Sequence, residues 1–342
     1  MSKVLSILCI VIGLNSFQQT NWLDAFGGFT NEEIIDVAVD PSGNIISVGY
    51  ISGTLNPGTG NVSTNGNTDI FVIKTDDAGN VLWAINAGGT GPDKGQGISV
   101  DDVGDIYITG YYHTSATFGT INVAGQNREA FVAKINAAGT FQWVTSMGGE
   151  FGDAGFGVQV DNAGNVYATG EYIGNGVFGA DVFASLNGSY DIFVTKLDPT
   201  GAFIWTKDGK ANQDDRGVSL DIDAANNVYV VGSFSESITF DNLHNNTALN
   251  AGFIVAFDAN GNELWLDMVK AAQVALTDIE ISASSLYITG DYKGNLSVID
   301  INNTNTYPTT SEYNILVSKL TTTGDLNWLS SSTSDNELFS NQ

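Results

Sequence analysis

Apolar residues along most of the chain recur in short alternating runs, not at helical spacing. DVAVD from Asp36, GISVD from Gly97, GVQVD from Gly157, GVSLD from Gly217 and DIEIS from Asp278 put apolar side chains on one strand face and small or polar ones on the other. A second run follows each, carrying Ile46, Tyr107, Tyr167, Tyr229 or Tyr287 and ending at Gly49, Gly110, Gly170, Gly232 or Gly290. The third run reads DIFVIK from Asp69, EAFVAK from Glu129, DIFVTK from Asp191, AGFIVA from Ala251 and NILVSK from Asn314. A fourth run holds a tryptophan. β-Branched and aromatic residues fill the runs while Gly, Asn and Asp punctuate them, which predicts strands joined by hairpin turns.

The tryptophans fix the period. Trp22, Trp83, Trp143, Trp205, Trp265 and Trp328 are the complete set, separated by 61, 60, 62, 60 and 63 residues. Four-stranded units repeating at this interval predict an all-β fold, a β-propeller of antiparallel blades of about 61 residues. The blades are expected at 33–88, 95–149, 155–209, 215–269 and 276–331, an outer strand at 21–27 closes the ring, and 332–342 begins a truncated further blade. Gly97, Ser99, Gly157 and Gly217 suit first strands crowded at an axis; the tryptophans suit the wider periphery, as core.

Residues 1–19 have another character. Met1-Ser2-Lys3, the apolar run Val4 to Leu14 and a polar stretch to Gln19 read as a signal peptide, too short to span a bilayer. The expected location is therefore secreted or on a bacterial cell surface. Cys9 falls inside this run, so the mature chain carries no cysteine and relies on packing without disulfides. Acidic residues number 38 against 12 basic, a net charge of −26, which repels nucleic-acid phosphates and anionic membranes. With 42% apolar and 11% aromatic residues, the chain is not a disordered acidic tract.

The stretch Asp161-Asn162-Ala163-Gly164-Asn165-Val166-Tyr167-Ala168-Thr169-Gly170, then Asp191 to Lys196, with Trp143 and Gly148-Gly149 ahead, resembles the bacterial SBBP-type β-propeller repeat. The resemblance covers roughly residues 21–331, best in the second and third units; the fourth and fifth lack Gly-Gly after Trp205 and Trp265. It implies an exported or surface-associated protein, often large and often with further modules.

Candidate chemistry is sparse. The Asp turns offer oxygen donors for Ca²⁺, and Asp258 to Asn262 and Asp221-Ile222-Asp223 come nearest, but both lack the EF-hand spacing and its distal glutamate. A turn in which Asp caps the backbone and Gly or Asn takes positive φ accounts for every copy, so no cofactor is assigned. Arg128 and Arg216 are the only arginines, too few for a sialidase triad. His113 and His244, the only histidines, fall in expected loops and cannot build a zinc site. No nucleophile elbow or phosphate loop is present. Lys74, Lys134, Lys196 and Lys319 are expected to pair with nearby aspartates.

What remains is one rim. Asp93, Asp153, Asp214 and its neighbour Asp215 lie between units, and Tyr112, Tyr172, Phe234 and Tyr292 follow the periodic glycine into expected polar loops. Asp93, Asp153, Asp214, Tyr112 and Tyr172 are the ligand-binding candidates. The expected function is a non-catalytic binding or scaffold module for an extracellular carbohydrate or protein. The alternative is a polysaccharide hydrolase or lyase using the rim carboxylates.

Overall fold

A computed structural model describes residues 32–299, 304–307 and 313–332. The expected signal peptide, the outer strand at 21–27 and the segment after residue 332 lie outside the described residues.

The first unit pairs Glu33–Val39, Ile45–Ile51, Asp69–Thr75 and Val81–Gly88 in that order, every neighbour antiparallel. The second pairs Lys94–Val100, Ile106–Phe118, Ile121–Ile135 and Phe141–Gly149. The third uses Ala154–Val160, Val166–Ile173, Tyr190–Leu197 and Phe203–Ala211. Arg216–Ile222, Val228–Thr239, His244–Phe257 and Glu263–Lys270 form the fourth. The fifth has Gln273–Ser282, Ser285–Lys293, Tyr313–Thr321 and Leu326–Ser332. These are the runs read from the sequence. An all-β set of antiparallel sheets in this arrangement fits a β-propeller.

The turns form as their residues dictate. Asp40 Oδ1 accepts the N–H groups of Ser42 and Asn44, both at 2.9 Å, and its Oδ2 takes the Asn44 amide at 2.8 Å. Asp161 and Asp258 repeat the same three bonds. The residue between must turn left-handed, and Gly43, Gly164 and Gly261 do so at φ 83°, 81° and 81°. In the fourth unit Asn226 takes that place at φ 61°.

Consecutive units are joined by the tryptophans. The indole N–H of Trp83 donates to the Ala137 carbonyl at 3.3 Å, Trp143 to Pro199 at 3.0 Å, Trp205 to Ala259 at 3.2 Å and Trp265 to Thr322 at 3.1 Å. Each acceptor lies in the turn before the fourth strand of the next unit. A left-handed glycine in that turn lies on the ring: a Cβ on Gly139, Gly201 or Gly261 would come within 3.0, 2.9 and 2.9 Å of an indole Cδ2. The tryptophans are therefore more than core filler; each recognises the following unit. The lysines divide: Lys74 pairs with Asp40 at 2.8 Å and Lys134 with Asp105 at 2.9 Å, as expected. Lys196 instead reaches the Ala259 carbonyl at 3.0 Å, over the Tyr167 ring.

The stretches expected as polar loops between second and third strands differ most. They form hairpins, Asn175–Phe178 with Asp181–Ala184 in the third unit, that pair with the fourth strand of the preceding unit. Ala87 pairs with Phe118, Gly148 with Val177, Lys210 with Thr239 and Val269 with Val298. One aromatic pins three of these hairpins: Phe118, Phe178 and Phe240 are fully buried, with ring centroids 5.0, 5.1 and 6.0 Å from Phe131, Phe193 and Phe253. Burying each such ring is worth roughly 2–3 kcal/mol, enough to hold a short hairpin.

First strands of all five units line a channel of about 780 Å³ whose wall includes Asp36, Ser99, Gln159, Ser219, Asp278 and Glu280. Ser99 Oγ donates to Gln159 Oε1 and Ser219 Oγ to Asp278 Oδ1, each at 2.8 Å. The crowding expected there is real, since a Cβ on Gly97 would strike the Phe156 carbonyl.

Gly43→Ala and Gly201→Ala separate backbone strain from recognition by the indole. Both glycines have φ near 83–84°, but only Gly201 faces Trp143 and nothing lies within 4 Å of a Cβ on Gly43. Gly43→Ala should cost about 1 kcal/mol in urea unfolding. Gly201→Ala should cost about 3 kcal/mol, the excess reading the displaced Trp143 ring and Thr145 hydroxyl.

Candidate functional site

The connections between units carry a recurring carboxylate. Asp93 Oδ2 accepts the Gly89 N–H at 2.6 Å and its Oδ1 the His113 N–H at 2.7 Å. Asp153 does the same with Gly149 at 2.7 Å and Ile173 at 2.9 Å. Asp215 Oδ1 accepts the Ser235 N–H at 2.9 Å. Their own N–H groups donate to the carbonyls of Thr68, Arg128 and Tyr190. Each side chain thus ties the link between units to the end of the second strand, where the hairpin departs. All three are fully buried.

Asp214 is exposed and accepts the Tyr190 N–H at 3.1 Å, so the recurring place belongs to Asp215. Tyr112 and Tyr172 are fully buried, their hydroxyls donating to Ser146 Oγ at 2.9 Å and Asp208 Oδ2 at 3.2 Å. Asp93 lies beside the backbone of Tyr112, and Asp153 beside that of Tyr172, one pair per unit. The five residues do not meet in one place, and none lines the axial channel.

A second acid accompanies each tie, and the sequence reading did not single it out. Asp69, Glu129 and Asp191 hold the same place in the third strand of their units, just before the apolar run, and are buried there. Gly88 sits between the first pair: a Cβ on it would lie 2.7 Å from Asp69 Cγ and 2.7 Å from Asp93 Oδ2. The signal was present in the acid that begins DIFVIK, EAFVAK and DIFVTK. At the third junction Asp208 replaces Asn86 and Ser146 of the earlier ones, opposite Phe193, Phe71 and Phe131 respectively. Lys210 meets Asp208 at 2.9 Å, and Asp191 Oδ1 and Asp215 Oδ2 have no hydrogen-bond partner among the described residues.

Burial dominates the protonation of these groups. It pushes Asp93 up to about 6, Asp153 and Asp191 to about 7 and Asp215 to about 8, partly opposed by the amide N–H donors. The neighbouring carboxylate adds to the rise: Asp69 acts on Asp93, Glu129 on Asp153 and Asp191 on Asp215. Both arginines converge on Glu171, Arg128 at 3.0 Å and Arg216 at 3.5 Å. Among the described residues, no group of three or more His, Cys, Asp or Glu is placed to hold a metal ion. Phe151, Val177, Val182 and Leu186 are exposed around the third-unit hairpin, where Val177 faces Val182 across the strands. Phe151 folds onto Gly174 at the hairpin base.

No known family profile matches the chain. It is 25% identical over 239 residues to an uncharacterized WD repeat-containing protein, L264, of Acanthamoeba polyphaga mimivirus. The match covers 57% of this chain and only 17% of that much longer protein. A crystal structure of a protein of unknown function from Bacteroides caccae is similar over 83% of this chain and 93% of its own, at 8% identity and a TM-score of 0.39.

The paired acids predict how stability varies with pH. A carboxyl whose folded value lies above its ordinary 3.8 binds its proton more tightly when folded. Its contribution is complete below about 4 and is lost as pH rises through 7 to 8. Asp40, held at about 2 by Asn44 and Lys74 against the opposing effect of burial, acts oppositely and only below about 4. The melting temperature should therefore fall by several degrees between pH about 5 and about 8.5, and Asp153→Asn with Asp215→Asn should flatten that slope.

Proposed function

We propose that the chain is an exported or cell-surface β-propeller of the SBBP type, with five four-stranded blades and an outer strand at 21–27. It acts as a non-catalytic scaffold whose ligand is a protein, ahead of a carbohydrate. The observation that carries this reading is the apolar surface of the third blade, where Phe151, Val177, Val182 and Leu186 stand in solvent. Exposed apolar clusters ringed by polar groups are characteristic of protein-docking surfaces. The tyrosines expected to meet a carbohydrate, Tyr112 and Tyr172, are buried. The WD-repeat name of the viral relative supports a propeller scaffold.

The hydrolase or lyase reading needs two acids within reach of a substrate. Asp93 and Asp153 spend both oxygens on backbone N–H groups, which favours the scaffold.

The immobilised chain should retain a protein from a bacterial cell-surface extract. The substitution Val182→Glu should release that protein and leave the melting curve unchanged, because the side chain is exposed. Equal retention by both forms, or capture of a polysaccharide from an array, would move the ligand elsewhere. Release of sugar reducing ends would restore the hydrolase.

A further inference from the structure

Each unit presents one face to the unit after it and the other to the unit before. Ile70, Ala130 and Ile192 hold the same position on the forward face and are 0% exposed, but Ile315, their counterpart in the fifth unit, is 61% exposed. On the backward face Ile98, Val158, Leu220 and Ile279 are 7, 4, 3 and 3% exposed, whereas Val37 of the first unit is 38% exposed. Val39 and Tyr313 are exposed beside them. The two open faces are thus the forward side of the fifth unit and the backward side of the first.

The fifth unit keeps the whole set of groups that reads a following unit. Lys319 lies over the Tyr287 ring at 5.4 Å, as Lys134 and Lys196 lie over Tyr107 and Tyr167 at 5.1 and 4.9 Å. Trp328 pairs across the strands with Lys319, as Trp205 pairs with Lys196. Yet the Trp328 indole has no acceptor among the described residues, whereas the four tryptophans before it each have one.

We propose that the gap between the fifth and first units is the seat of one further four-stranded unit of this same repeat, carried in the same polypeptide. Its Asp-x-x-Gly turn places a carbonyl on the Trp328 indole and a left-handed glycine on the ring, while its first strand covers Val317 and Ile315. Its own forward face covers Val37 and Val39. Continuity with the four existing junctions selects this occupant over an unrelated protein, because the exposed side chains at the seat are those that elsewhere contact a sister unit.

The test supplies the missing unit. Residues 335–342 are replaced by a copy of residues 150–209, which keeps the spacing from tryptophan to the next connection. The extended chain should remain monomeric, unfold in one transition and melt roughly 5 °C or more above the parent. Ile315→Arg should abolish that gain yet leave the parent chain unchanged, since the side chain is exposed there. The proposal is overturned if the added unit melts separately, or if Ile315→Arg has no effect in the extended chain. A parent chain that self-associates through this face, with Ile315→Arg dispersing it, would also overturn it by making a second copy the occupant. A second extension, built from residues 90–149, guards against one misfolded graft; failure of both to raise the transition counts against the seat.

Discussion

The contact on which the rest of the molecule depends is the indole N–H of one unit bonded to a turn carbonyl of the next, with a left-handed glycine flat on the ring. The bond itself contributes on the order of 1 kcal/mol. Its geometric effect is larger, because it fixes the distance and tilt between neighbouring sheets. Only a residue with a broad apolar face and a donor at its edge can do both, and only glycine lets a backbone approach that face. This joint requirement is why each of these tryptophans is matched by a glycine in the turn of the following unit, Trp143 by Gly201 and Trp205 by Gly261.

Much of this was legible in the sequence. The tryptophan interval, the Asp-capped turns and the alternation of the first strands each correspond to what is observed. The hairpins were not legible, because Thr114-Ser115-Ala116-Thr117 looks like a polar loop and its pairing partner lies in the preceding unit. Phe118 and Phe178, each followed by glycine, were the overlooked sign. A residue's strand partner across a unit boundary leaves no local pattern.

The candidate site was legible in position and not in environment. A lone aspartate before a strand reads as solvated, and the amides that enclose Asp93 and Asp153 arrive 20 residues later, from His113 and Ile173. Spacing also points to Asp214, which lies 61 residues after Asp153, although one extra residue in the third connection shifts the role to Asp215. The tyrosines likewise belong to the core once the supposed loops become strands.

The hairpin that each unit lends to its predecessor separates two things that repeat proteins usually keep together. The segment that duplicates is about 61 residues long and ends near its tryptophan. The segment that folds runs on, because an outer strand is complete only when the next unit's hairpin has paired with it. A gene-level excision at repeat boundaries would leave the remaining outer strand with a foreign hairpin that still fits, since Phe118, Phe178 and Phe240 are interchangeable in kind. Unit number can thus drift over evolutionary time without exposing a raw edge inside the array.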